Sequence, residues 1–143
     1  MKESGNRRWI RPALILGLIY CLDGLVFGMF AGWSKSPLTV TAWRLAAWLT
    51  CAVLFVVHNW YEHYQFHNSP GKTALHASFA AAIGAFGLAV AANIHALFVS
   101  SANQLMLGLS LVIWPLLTAV PAFIAAFVIT YMFRHFYKRD LGK

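Results

Sequence analysis

The chain has 143 residues, the length of one domain, but 60% of them are apolar and only 10% are charged, against about a quarter charged in a soluble domain. A water-soluble core of this size cannot hide so much apolar surface, so a soluble globular protein is excluded. The formal net charge of +7 does not mark a nucleic-acid partner either, because the basic residues gather at the chain ends and in one inter-segment loop instead of lining a groove.

The first apolar run extends from about Pro12 to Trp33, close to the roughly 20 residues a helix needs to cross the hydrocarbon layer. Asp23 is its only interruption. The run is too long for a signal peptide and lacks a clear small-residue cleavage site, so it is expected to stay in the mature protein. Ser36-Pro37 is a helix-start signal that opens a second span, about Leu38 to Trp60, with Trp60, Tyr61 and Tyr64 marking its far interface. The polar stretch Glu62 to Lys72 contains Asn68-Ser69-Pro70-Gly71, a strong turn signal that divides the chain into two hairpins. A third span runs from about Ala74 to Ser100 and, after the link Ser101 to Gln104, a fourth from about Leu105 to Phe133. Pro115 and Pro121 lie inside the fourth, each removing a backbone hydrogen bond and favouring a bend. The reading is an all-α, four-helix transmembrane bundle made of two helical hairpins.

Lys2, Arg7, Arg8 and Arg11 precede the first span, Lys72 lies in the middle loop, and Arg134, Lys138, Arg139 and Lys143 follow the fourth, whereas the other two short loops offer only Lys35. Positive charge stays on the cytoplasmic side, so both termini and the middle loop are expected there, in a cell inner (plasma) membrane. At a shift of 68 residues Leu49-Thr50 matches Leu117-Thr118, Phe30 matches Phe98, Phe55 matches Phe123 and His67 matches His135, the pattern two duplicated hairpins in the same orientation would leave.

Gly24, Gly28 and Gly32 recur every fourth residue on one face of the first helix, and Ala81, Ala85 and Ala89 form a small face on the third. In lipid such faces let backbones approach closely. They either pack against each other or the glycine face binds a second copy or a partner membrane protein; four spans make a thin bundle, so oligomerisation is expected on both readings.

Asp23 sits near the middle of its span, where an ionised carboxylate costs several kcal/mol unless paired, hydrated or protonated. A proton-coupled carrier needs such an acid. The purely structural alternative is an ion pair with Arg44: from the outer ends of their helices the two lie roughly 15 Å and 9 Å deep, a gap an arginine side chain spans. Asn93 and His95, in the outer half of the third span, either complete a polar pocket with these two or bond to nearby carbonyls. His58, His63, His67, His76 and His135 collect towards the other side. His63 and His67 are one helical turn apart, a spacing that can share a metal, and histidines on facing helices can clamp a haem; the spacing is otherwise irregular and no metal or cofactor is assigned. Cys21 and Cys51 fall inside apolar runs with no CxxC and read as packing residues. Glu62 beside His63 suggests a proton relay or simply a solvated loop.

No phosphate-cradling glycine loop or nucleophile elbow is present, and enzyme activity is not expected. Two hairpins with an acid in the first span, Asn59 within His58-Asn59-Trp60-Tyr61, and Leu75-His76-Ala77 opening the third span together resemble the proteobacterial antimicrobial compound efflux family. The resemblance implies a proton-coupled exporter of small organic cations, with Asp23 standing for the family's glutamate and with Asn59 and His76 at the cytoplasmic mouth. Three functions therefore stay open: a small secondary transporter, a non-catalytic accessory or assembly subunit docking a partner through its glycine face, and a haem-binding electron-transfer subunit using His58, His76 or His95.

Overall fold

The computed structural model describes residues 9–99 and 104–140. These form four α-helices: α1 (Ile10–Trp33), α2 (Pro37–Phe66), α3 (Pro70–Val99) and α4 (Gln104–Asp140). The shortest has 24 residues, which at a rise of 1.5 Å per residue gives about 36 Å, more than the hydrocarbon thickness of a bilayer. Each helix is long and apolar enough to cross a membrane. Large apolar side chains point outward on every one: Trp33 is 70% exposed, Leu38 80%, Phe98 83% and Leu105 68%. Such a surface is stable only against hydrocarbon, so the chain is a multi-pass membrane protein. The link at 100–103 and the outlying basic residues Lys2, Arg7, Arg8 and Lys143 lie outside the described residues.

α3 is the central helix. It packs most extensively against α4 and α1, α2 touches all three others, and among the described residues α1 and α4 do not meet. Two small-residue clusters hold the assembly. Ala13, Tyr20 and Ala80 pack with Trp9, Leu16, Cys51, Leu54 and Phe55, while Ala74, Ala77 and Ala126 pack with Phe55, which joins the two. α1 and α3 come together through glycine. A Cβ on Gly84 would lie 2.7 Å from Cβ of Tyr20 and 3.2 Å from the Gly17 carbonyl, and one on Gly17 would lie 2.6 Å from Ile83. Dispersion at this range is what binds helices in lipid, where burying apolar side chains gains little.

The sequence-level glycine stripe divides. Gly24 faces Leu88 of α3, but a Cβ on Gly28 or Gly32 would meet nothing within 4 Å. Only the inner part of that face packs on α3, and close approaches of the two helices are Gly84 against Tyr20 and Gly87 against Cys21.

The stretch from Glu62 to Lys72, expected as a loop, is mostly helix. α2 continues to Phe66, His67 ends it in the left-handed conformation (φ 50°), and α3 begins at Pro70. Pro70 supplies the fixed φ of a first helical position, and the Ser69 carbonyl accepts from the backbone N–H groups of Lys72 and Thr73 at 2.9 and 3.0 Å. The turn is thus only His67, Asn68 and Ser69. The first turn is equally short: Pro37 is the first residue of α2, and the Ser34 hydroxyl donates to the Phe30 carbonyl at 2.7 Å. α4 stays helical through Pro115 and Pro121 and beyond Phe133 to Asp140.

Candidate functional site

Polar residues of α2 recur on one face near its end: His58, Asn59 and Glu62 are spaced three and four apart, the spacing that stacks side chains on a helix. On α3, Thr73 and His76 are three apart. The His67–Ser69 turn brings these faces together, and Thr130 of α4 is buried one helical turn beyond Ala126, which packs with Ala74 and Ala77. Glu62, Asn59, Thr73 and Thr130 are completely buried, and His58 and His76 are 2% and 7% exposed.

Glu62 is the centre. Its Oε2 accepts a hydrogen bond from Asn68 Nδ2 at 2.8 Å and lies 2.9 Å from His76 Nδ1. A proton stands between the imidazole and carboxylate in every state that keeps this bond, so the pair can hold it on either partner. The His76 ring is covered by Trp9, stacked at 4.2 Å between ring centroids and within 2° of parallel; Trp9 also meets Phe79 edge-on. The start of α1 therefore roofs the polar cluster. Asn59 Nδ2 donates to the Phe55 carbonyl at 2.8 Å, which fixes the amide orientation, since a carbonyl only accepts. Its Oδ1 has no partner, nor have Glu62 Oε1, the hydroxyls of Thr73 and Thr130, or either nitrogen of His58. His58 lines a cleft of about 360 Å³ between α1 and α2 with Pro12, Leu16, Leu54 and Tyr61.

Asp23 lies elsewhere, near the middle of α1, and is 9% exposed. Its Oδ2 accepts from the Cys51 thiol of α2 at 3.1 Å. Arg44 does not pair with it. That side chain is exposed and lines an open groove of about 410 Å³ between α1 and α2 with Gly24, Phe27, Gly28, Gly32 and Trp48. Asn93 Nδ2 donates to the Ala89 carbonyl at 2.8 Å and to Ser110 Oγ at 3.1 Å, tying α3 to α4, and His95 is exposed. Arg44, Asn93 and His95 thus make no hydrogen bond to Asp23, and the pocket expected from these four residues is not assembled. Cys51 takes the place assigned to Arg44, because a thiol on the adjoining helix face reaches the carboxylate while the longer side chain turns outward.

Asn59 and His76, singled out in the sequence, do come together in one cluster, but around Glu62, for which the sequence suggests a proton relay with His63 or a solvated loop. Glu62 is buried because α2 does not stop at Trp60. His63 and His67 are not a helical pair, since the left-handed backbone at His67 takes it off the helix. Among the described residues no group of three or more His, Cys, Asp or Glu side chains is placed to hold a metal, and Cys21 and Cys51 are free thiols. Thr73 and Thr130 carried no sequence signal by themselves. The spacing of Asn59 to Glu62 and of Thr73 to His76 was the available clue.

Comparison with protein-family models, with curated proteins and with solved structures finds no match for this chain.

Proposed function

We propose that this protein is a small secondary transporter that exports organic cations in exchange for protons, with its termini and the His67–Ser69 turn on the cytoplasmic side of the plasma membrane. The observation that carries the reading is Asp23: a carboxyl group buried at mid-span with a thiol as its hydrogen-bond partner and no cation beside it. A carboxylate locked to Arg44 would have its charge neutralised permanently. A carboxyl group held only by Cys51 is free to change charge, taking up a proton when no substrate is present and releasing it when a cation approaches. Phe27, Trp43 and Trp48 lie one to two turns outward, and Phe30 stacks on Trp43 at 4.9 Å, so aromatic faces suited to cation–π contact stand along the outer part of the same two helices.

The test uses vesicles reconstituted with the purified protein and an imposed proton gradient, monitored by a pH-sensitive dye while a lipophilic organic cation is added. Wild-type protein dissipates the gradient on cation addition, Asp23→Asn does not, and Arg44→Ala does. A wild-type protein that leaves the gradient untouched removes the transport reading and favours an accessory subunit.

A further inference from the structure

Four side-chain oxygens at the turn end of the bundle are buried and unpartnered: Glu62 Oε1 and Asn59 Oδ1 on α2, Thr73 Oγ1 on α3 and Thr130 Oγ1 on α4. Their residues are all 0% exposed, and the helix register puts three of them at one level. Glu62 is four residues before the end of α2 and Thr73 three residues after the start of α3, so both lie within about 6 Å of the turn along the helix axes. Ala77 and Ala126 belong to one cluster, and Thr73 and Thr130 are each one helical turn from them in the direction of the same turn. Asn59 sits one turn above Glu62 on the same face of α2.

The orientations of the polar groups are constrained. Asn59 Nδ2 is engaged with the Phe55 carbonyl, leaving its acceptor oxygen free. Asn68 and His76 both bond Oε2 of Glu62, leaving Oε1. None of the four oxygens is hydrogen-bonded to another, although two are hydroxyls able to rotate towards an acceptor. Four buried oxygens without hydrogen-bond partners, gathered at one end of the bundle by the helix register, can be satisfied together by a cation, and hard oxygen ligands select a hard one. With a single carboxylate and a neutral His76, a monovalent ion gives a neutral site, whereas a divalent ion would leave an uncompensated buried charge. A set of one carboxylate, one amide and two hydroxyl oxygens suits an ion of Na⁺ size better than the larger shell that K⁺ takes. We propose that Glu62, Asn59, Thr73 and Thr130 form a Na⁺ binding site joining α2, α3 and α4. The site is separate from Asp23 and does not rest on the transport reading.

Thermal unfolding of the purified full chain in detergent, in NaCl against choline chloride at equal ionic strength, tests it. An ion that binds only the folded state raises the unfolding midpoint saturably with its concentration. Na⁺ should do so and K⁺ should not. Thr73→Val and Thr130→Val, which keep the side-chain shape, should each raise the half-saturating Na⁺ concentration by about tenfold or more; Glu62→Gln should abolish the response, and Asp23→Asn should leave it unchanged. Equal midpoints in NaCl and choline chloride for the wild type would overturn the proposal, as would an unaltered Na⁺ response in both threonine variants. A midpoint raised by Mg²⁺ or Ca²⁺ but not by Na⁺ would overturn the monovalent assignment.

Discussion

At the end of the bundle that holds the His67–Ser69 turn, polar residues of α2, α3 and α4 are sealed inside, Glu62 bonds His76 and Asn68, and Trp9 closes over the imidazole. At the Ser34–Ser36 end the same α2 and the other half of α1 leave an open groove, with Gly28 and Gly32 facing no neighbour and Arg44 exposed. Composition does not explain the difference, since the groove is lined by the small residues that favour close helix contact. In lipid an apolar or small face is nearly indifferent between a neighbouring helix and an acyl chain, whereas a polar group without a partner is costly. The polar side chains are therefore sealed where three helices meet, while the small face at Gly28 and Gly32 is left open beside the Phe30–Trp43 stack.

Five substitutions sharpen or break that contrast. The largest loss is expected from Glu62→Ala, which strands the donors on His76 and Asn68 in a sealed layer and should cost about 3 kcal/mol; chemical or thermal unfolding in detergent measures it, and a loss no greater than that of an exposed-site variant would show that the layer does not organise the fold. Next comes Gly84→Ala, which forces a methyl group against Cβ of Tyr20 and should destabilise by about 1–3 kcal/mol, while Gly28→Ala at the open end should be neutral or stabilising by about 0.5 kcal/mol through better helix propensity. Similar effects of the two would mean that the groove is closed in the working protein. Trp9→Ala removes the stacked cover of His76 and is expected to cost about 1 kcal/mol, with faster hydrogen exchange at the start of α3 as its local signature. The smallest effect belongs to Arg44→Ala, within about 0.5 kcal/mol of wild type, because that guanidinium pairs with no carboxylate among the described residues; a larger loss would restore the ion pair with Asp23 that the structure replaces with Cys51.

Hydrophobic run length and the two proline-containing turns were enough to read four helices, their order and their pairing into hairpins, because the bilayer demands long apolar helices whatever their neighbours are. Ser36-Pro37 marks a helix start in the chain as it does in space, since proline's fixed φ is a local property, whereas α3 begins at Pro70, inside the turn signal and four residues before the expected Ala74. The ends of the helices were less legible. Polarity from Glu62 onward looks like a loop in one dimension, yet those side chains find partners on α3, and so α2 continues as a helix for six residues beyond Trp60.

The sequence by itself determined that the protein lives in lipid and crosses it four times, because solvent preference is a sum over residues and needs no contacts. Only the tertiary structure decided which polar residues meet: Glu62 with His76 rather than with water, Asp23 with Cys51 rather than with Arg44, Gly84 rather than Gly28 at the closest helix approach. A partner is a matter of distance and direction between helices, and periodicity along one helix contains neither.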